Sequence, residues 1–398
     1  MQDRPAASPH IVTLVMAAAV GPLAMNVFLP SLPGMARHFD SDYAVMQLAV
    51  SFYLAATAVL QLFIGPASDR FGRRPVMLFC LAIFLLGTIA AVYAPTVEAL
   101  LLCRLLQAFS SAGMVISRAV VRDTVGTTEA ASQIGYITMG MSVVPMVGPM
   151  IGGFLDELYG WQAGFWLTLA FGLVALGFVV FDLNETNRSR SDSLAAQFRS
   201  YPQLLGSGRF WGYALTAGFT TGAFFAFIGG GPYIATEMLG LKPSQYGFYF
   251  GIISVGYMLG NFLSGRFANV LGINRMMLAG NIVSVSGMVL AIALFAAGLY
   301  HPLSLFGPVF FTGLGNGLTL PSANAGVVSV KPRLAGSASG LGGALQIGGG
   351  AALSMLAGAL VTPQSGPFPL LWVMLLSSFG GFVSTLWVIR VARREGTA

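Results

Sequence analysis

The stretch Gly65-Pro66-Ala67-Ser68-Asp69-Arg70-Phe71-Gly72-Arg73-Arg74-Pro75 gathers one acid and three arginines between two apolar runs. The run before it, Tyr43–Ala67, has no charged residue, and the run after it stays apolar to Ala94. Each is about 20 residues, enough for an α-helix to cross a bilayer at 1.5 Å per residue. Gly65 lets backbones approach closely, and Gly72 permits a tight reversal between the two runs. Two membrane helices joined by a short charged turn is the unit this stretch predicts.

The rest of the chain repeats that unit. Of 398 residues, 56% are hydrophobic and only 9% charged, and mean hydropathy is +0.77. A soluble domain carries roughly 25% charged residues, so lipid must be the main solvent here. The 51 glycines fit helices that associate in lipid through small residues. A net charge of +6 does not point to nucleic acid, because the basic residues sit in short loops between apolar runs. Cys80 and Cys103 fall in different apolar runs without metal-ligand spacing, and read as packed thiols. The run after His10 is longer than a signal-peptide core, so it reads as a retained helix.

On a ruler of about 20 residues, twelve spans emerge: Ile11–Ala36, Tyr43–Ala67, Arg74–Ala94, Glu98–Val121, Ala131–Glu157, Gln162–Leu183, Arg209–Met238, Ser244–Val270, Arg275–Leu299, Pro302–Val330, Ala335–Val361 and Pro367–Ile389. The predicted fold is an all-α membrane protein of two six-helix halves related by pseudo-symmetry. Residues 1–183 form the first bundle, 184–208 a cytoplasmic interdomain loop with Arg188, Arg190, Asp192 and Arg199, and 209–398 the second bundle. With both termini cytoplasmic, Arg4, Arg70, Arg73, Arg74, Arg122, Arg188, Arg190, Arg199, Arg209, Arg266, Arg275, Lys331, Arg333, Arg390, Arg393 and Arg394 collect inside, and only Arg37 and Lys242 outside. That asymmetry is the positive-inside pattern. Gly21-Pro22, Pro30, Pro145, Gly148-Pro149, Gly231-Pro232 and Pro321 predict broken helices, which lipid tolerates only beside protein or a water-filled cavity. Matching breaks in the first and seventh spans are what a repeat-built carrier places around a midplane site. Gly265-Arg266-Phe267 with Gly272 and Arg275 faintly echoes Asp69–Arg73.

The Gly65–Pro75 loop resembles the loop signature of the major facilitator superfamily. That resemblance implies a gating latch of Gly65, Asp69, Arg70, Gly72 and Arg73. Asp69 would cap the N-terminus of the eleventh span, where a helix dipole favours an anion, and Arg73 would pair with Asp123. Val144-Pro145-Met146-Val147-Gly148-Pro149-Met150-Ile151-Gly152-Gly153 looks like the antiporter motif of drug exporters, with Gly148, Pro149, Gly152 and Gly153 in place and Val144 where a Gly is expected. The same glycines could serve as a generic packing seam. Met25-Asn26-Val27-Phe28-Leu29-Pro30, Arg104-Leu105-Leu106-Gln107-Ala108, Arg122-Asp123 and Gly160-Trp161-Gln162-Ala163 resemble the Bcr/CflA subfamily of multidrug and phenicol exporters. The resemblance implies a proton antiporter of the bacterial inner membrane that works as a monomer, without a cofactor.

One position departs from that subfamily. Asn26 stands where an Asp is expected, and an amide cannot carry a proton. No Asp or Glu lies deep in a span; Glu98, Asp123, Asp156, Glu157, Asp182 and Glu237 fall near span ends. Protons would then travel on a rim carboxylate such as Asp123 or Glu237, or the protein would run as a facilitator. Arg104 lies about six residues, roughly 9 Å, inside its span. An intramembrane arginine is by default a functional hypothesis, against which stand snorkelling and anchoring to backbone carbonyls. With no buried acid opposing it, the cavity should favour neutral or anionic small molecules. Tyr53, Gln107, Met114, Phe224, Phe225, Asn316, Asn324 and Gln346 are the polar and aromatic candidates to line the site beside Asn26 and Arg104. The alternatives are a same-fold carrier of an amino acid, sugar or organic acid, and a transporter-like sensor. No nucleophile–base pair, metal cluster or phosphate loop supports an enzyme.

Overall fold

The computed structural model describes residues 8–125, 127–187, 201–331, 334–362 and 364–395. Arg4, Arg188, Arg190, Asp192, Arg199 and Arg333 of the charge argument lie outside the described residues. Among the described residues, twelve helices are long and apolar enough to cross a membrane. They are α1 (Ile11–His38), α2 (Tyr43–Phe71), α3 (Arg73–Val92), α4 (Val97–Thr124), α5 (Tyr136–Tyr159) and α6 (Gln162–Asp182), then α7 (Gly208–Met238), α8 (Pro243–Ala268), α9 (Ile273–Ala296), α10 (Pro302–Ser329), α11 (Ser337–Leu360) and α12 (Phe368–Arg394). Between the sixth and seventh, residues 201–205 are helical, and Tyr201 and Leu204 are buried.

Prolines break fewer of these helices than the sequence suggests. α-Helical structure runs unbroken past Pro145 and Pro149, and past Pro308 and Pro321. It also runs past Pro232, after which a π-turn spans Ile234–Met238. The first helix passes Pro22 and breaks only at a 3-10 turn over Leu29–Ser31. The fourth breaks at Ala108–Ser110 with no proline at all. There the Ser110 hydroxyl donates to Gln107 O at 2.7 Å. Gly72 and Gly272 take the same left-handed conformation, φ +103° with ψ 151° and φ +82° with ψ 154°. The turn after α2 thus recurs after α8, the clearest trace of an internal repeat.

The buried apolar residues fall into three clusters, and their placement gives the shape. One, including Phe28, Leu32, Met46, Trp161, Phe227, Tyr246, Phe250, Phe306 and Leu370, draws on both halves at the end carrying Arg37 and Glu237. A second, with Leu14, Met77, Phe84, Val120 and Val179, belongs to the first half alone. The third, with Tyr201, Leu204, Phe210, Tyr213, Met277 and Val388, belongs to the second half, with Leu62 of α2 packed against it. α5 packs on α8 and α2 on α11 across the halves. The bundles therefore share one core at one end and keep separate cores toward the end that carries Arg70, Arg73 and Arg74, called here the basic end.

Candidate functional site

Arg104 organises the centre of the first half. It is fully buried, and burying an arginine costs several kcal/mol unless partners replace its water. The partners here are neutral. Nε donates to Ala49 O at 3.0 Å and Nη1 to Ala24 O at 3.1 Å, with Gln107 Oε1 also accepting from Nη1. The guanidinium carbon stands 4.3 Å from the Phe28 ring centroid and 4.6 Å from that of Tyr53, where aromatic faces attract a cation. Gln107 passes the chain on to Thr88 at 2.9 Å, and Thr88 to Phe84 O at 2.8 Å. Tyr53 Oη stands 3.0 Å from Gly21 O and 2.9 Å from Ser110 Oγ, so its one hydroxyl hydrogen is shared between two acceptors. Three helices are thus stapled around one positive charge by carbonyls, an amide and hydroxyls. Arg104 Nη2 has no hydrogen-bond partner.

The other sequence candidates divide between this network and the second half. Asn26 is 3% exposed; its amide donates to Pro22 O at 2.8 Å while Oδ1 is unpartnered. Gln346 is half-buried and donates to Thr221 at 2.8 Å. Turned to the orientation that satisfies its amide, Asn316 donates to Thr312 O at 3.3 Å within α10 and to Thr220 O at 3.0 Å on α7. Phe224 and Phe225 are half-buried with ring centroids 6.2 Å apart, packed against the shared core. Met114 is half-buried and Asn324 exposed. Asn26, Tyr53, Arg104 and Gln107 form the first-half group; Phe224, Phe225, Asn316 and Gln346 cluster on α7 and its neighbours.

At the basic end, Arg73 is the hub. It pairs with Asp69 at 2.5 Å and, through Nε, with Asp123 at 2.9 Å, and Nη1 donates to Ser68 at 2.7 Å. Arg70 lies over its neighbour Phe71, 5.3 Å from the centroid. Asp69 thus has its partner within the first half. Two residues that the sequence reading passed over complete the cluster. Glu185 accepts from Arg73 N at 2.9 Å and Arg74 N at 3.3 Å, and Asn187 donates to Asp69 O at 2.6 Å. The only signal for them in the sequence is a short polar string, Asn184-Glu185-Thr186-Asn187, directly after an apolar run.

The opposite end is closed by contacts between the halves. Arg37 pairs with Glu237. Tyr43 donates to Gly229 O at 2.8 Å, and Gln47 to Ser354 O at 2.9 Å. Glu157 accepts from Ser244 N at 3.0 Å and Ser244 Oγ at 2.6 Å, a carboxylate at the N-terminus of α8 where the helix dipole favours one. Gly148, Pro149, Gly152 and Gly153 make this closure possible. Gly148 faces Asn26; a Cβ on Gly152 would collide with Val27 O of α1, and one on Gly153 with Pro243 O of α8. Pro149 O in turn lies against Gly247. These small residues therefore form a two-sided seam, one side within the first half and the other between halves. Gly65 has nothing within 4 Å of its Cβ position, so close approach does not explain it here.

Such an arrangement, two six-helix bundles of membrane-spanning length joined at one end with a charged cluster at the other, is that of a membrane transporter fold. The chain belongs to the Major Facilitator Superfamily, whose family model matches residues 14–345. It is 28% identical over 362 residues to a bicyclomycin resistance protein homolog of Haemophilus influenzae, covering 90% of each chain. It is also 28% identical over 388 residues to multidrug resistance protein D of Escherichia coli K12, covering 95% of this chain and 94% of that one. Among solved structures, a bacterial homolog of the human lysosomal transporter Spinster shares the fold at a TM-score of 0.70 and 16% identity, covering 96% of both chains. The protein is a multi-pass membrane transporter and not an enzyme.

Proposed function

We propose that this protein exports small amphiphilic drugs of neutral or anionic character, phenicol-like compounds among them, across a bacterial inner membrane. The observation that carries the substrate class is Arg104: a fully buried cation whose partners are all neutral. In a low-dielectric interior such a charge is weakly screened, so it raises the potential of the neighbouring pathway and disfavours lipophilic cations. The resistance proteins among the relatives support export of drugs.

The basic end faces the cytoplasm by the positive-inside pattern. The cross-half contacts at the other end then seal the outside, and the separate cores toward the basic end correspond to a form open inward. Alternating access follows when the halves rock about the site. In the outward form Asp69 leaves Arg73 to cap α11, and the Arg37–Glu237 and Glu157–Ser244 contacts part. Glu237 is the favoured proton carrier. Its ion pair with Arg37 spans the halves and parts with opening, whereas Asp123 pairs with Arg73 within one half.

Flux in proteoliposomes under an imposed pH gradient tests this reading. Labelled chloramphenicol should move and ethidium should not. Ethidium transport without chloramphenicol transport overturns the substrate class. Movement of neither, with flux of an amino acid, sugar or organic acid, favours the metabolite-carrier reading.

A further inference from the structure

Between α2 and α3 the chain reverses at Gly72, leaving two helix ends whose backbone groups lack helical partners. Both ends are bonded by one short segment that follows α6, which adds to the Gly72 N–Ser68 O bond of the turn itself. Glu185 accepts from the amides of Arg73 at 2.9 Å and Arg74 at 3.3 Å, the first turn of α3. There the helix dipole and a charge-assisted hydrogen bond act together. Asn187 donates to Ser68 O at 3.3 Å and Asp69 O at 2.6 Å, the last turn of α2. Thr186, 3% exposed, reaches Asp123 at 3.4 Å. Asn187 N also donates to Glu185 Oε1 at 2.9 Å, which folds the segment on itself. Three consecutive residues thus touch α2, α3 and the carboxylate at the end of α4. Gly72 leaves the room: a Cβ there would meet the Glu185 carboxylate, and its φ of +103° suits glycine alone.

This segment begins the connection between the halves. Its far end is anchored as well, since Tyr201 and Leu204 are buried in the second half's core and Lys331 Nζ donates to Gln203 O at 2.9 Å. We propose that Glu185, with Thr186 and Asn187, is a clasp that positions Arg73 between Asp69 and Asp123, so that the segment 184–187 after α6 and the latch move as one unit. Glu185 is a positioning residue: it holds the backbone from which Arg73 projects and touches no substrate. The inference rests on the latch reading given under Proposed function.

The test uses the full-length protein in proteoliposomes and in detergent. Amide hydrogen exchange is measured by mass spectrometry on peptides covering residues 69–76 and 184–187. Glu185→Ala should speed exchange in the first peptide, and Asp123→Asn should speed it in the second, with the rest of the bundle unchanged. Chloramphenicol flux per folded protein should fall about tenfold in Glu185→Gln, the size of one charge-assisted hydrogen bond. The double variant Glu185→Gln with Asp123→Asn should be no slower than the slower single variant. Glu185→Asp keeps the charge and should recover part of the rate. Asn187→Ala, which removes only the α2 side of the clasp, serves if the Glu185 variants fail to fold. Independent exchange in the two peptides, or losses of flux that multiply, overturns the clasp. Normal flux in Glu185→Gln beside lost flux in Asp69→Asn overturns the clasp and leaves the latch standing. Normal flux in both removes the latch reading and the clasp with it. If chloramphenicol is not moved at all, the exchange arm alone decides.

Discussion

Replacing Gly153 by alanine would set a methyl group 2.2 Å from the carbonyl oxygen of Pro243, where 3.4 Å begins ordinary contact. The α5–α8 seam must then open by about 1.2 Å, and overpacking of this kind costs about 1–3 kcal/mol. Because Pro243 belongs to the other half, that cost falls only on the form in which this end is closed. It should shift the equilibrium between forms by about 5- to 150-fold toward the form open there. Gly152→Ala is the control. Its methyl would collide with Val27 O of α1, inside the same half, so both forms suffer and thermal stability drops without a shift in their ratio. The assay is labelling of Ser354→Cys, a buried seam position bonded to Gln47. It is done with a membrane-impermeant maleimide on right-side-out vesicles, after Cys80 and Cys103, both free and buried, are changed to serine. Gly153→Ala should label faster by that factor and Gly152→Ala at the parent rate. Equal labelling in both, with equal losses of thermal stability, would refute the distinction between the two faces of the seam.

Asn26→Asp would put a titratable group at a position 3% exposed, and flux should respond more strongly to an imposed pH gradient than in the parent; an unchanged response sinks the role given to this position. Arg104→Ala would remove a donor from Ala24 O, Ala49 O and Gln107 Oε1, destabilising the protein by about 1–3 kcal/mol for a buried acceptor left unsatisfied. Arg104→Lys should recover only part, since an ammonium lacks the planar fork that bonds and stacks at once. An unchanged melting temperature in Arg104→Ala would refute the carbonyl anchoring.

Hydropathy made the spans legible because membrane crossing is a property of length and composition, summed over about 20 residues. The positions of the helix breaks were not. A proline removes one hydrogen bond from its helix, and the helices run on past Pro145, Pro149, Pro232 and Pro321 all the same. The break at Ala108–Ser110 has no proline to announce it and lies within the Tyr53, Ser110 and Gln107 bonding. Arg73 and Asp123 were found through the family resemblance of the Gly65–Pro75 loop, whose dense and unusual pattern carries it, with Asp123 standing at the end of α4. Glu185 escaped because a polar residue in a polar loop has no local mark, and its partners are more than a hundred positions away. The setting of Arg104 was hidden for the same reason: Ala24 and Ala49 contribute only carbonyl oxygens, which every residue has.

The core shared by the two halves has a thermal consequence. Any form open at that end must wet part of a surface built from Phe28, Tyr246, Phe250, Phe227 and Phe306, and wetting apolar surface raises heat capacity. Cooling weakens the tendency of such surface to stay dry. The population open at the sealed end should therefore grow in the cold, and the temperature dependence of turnover should follow a curve, not a straight Arrhenius line, with no change in the fold itself.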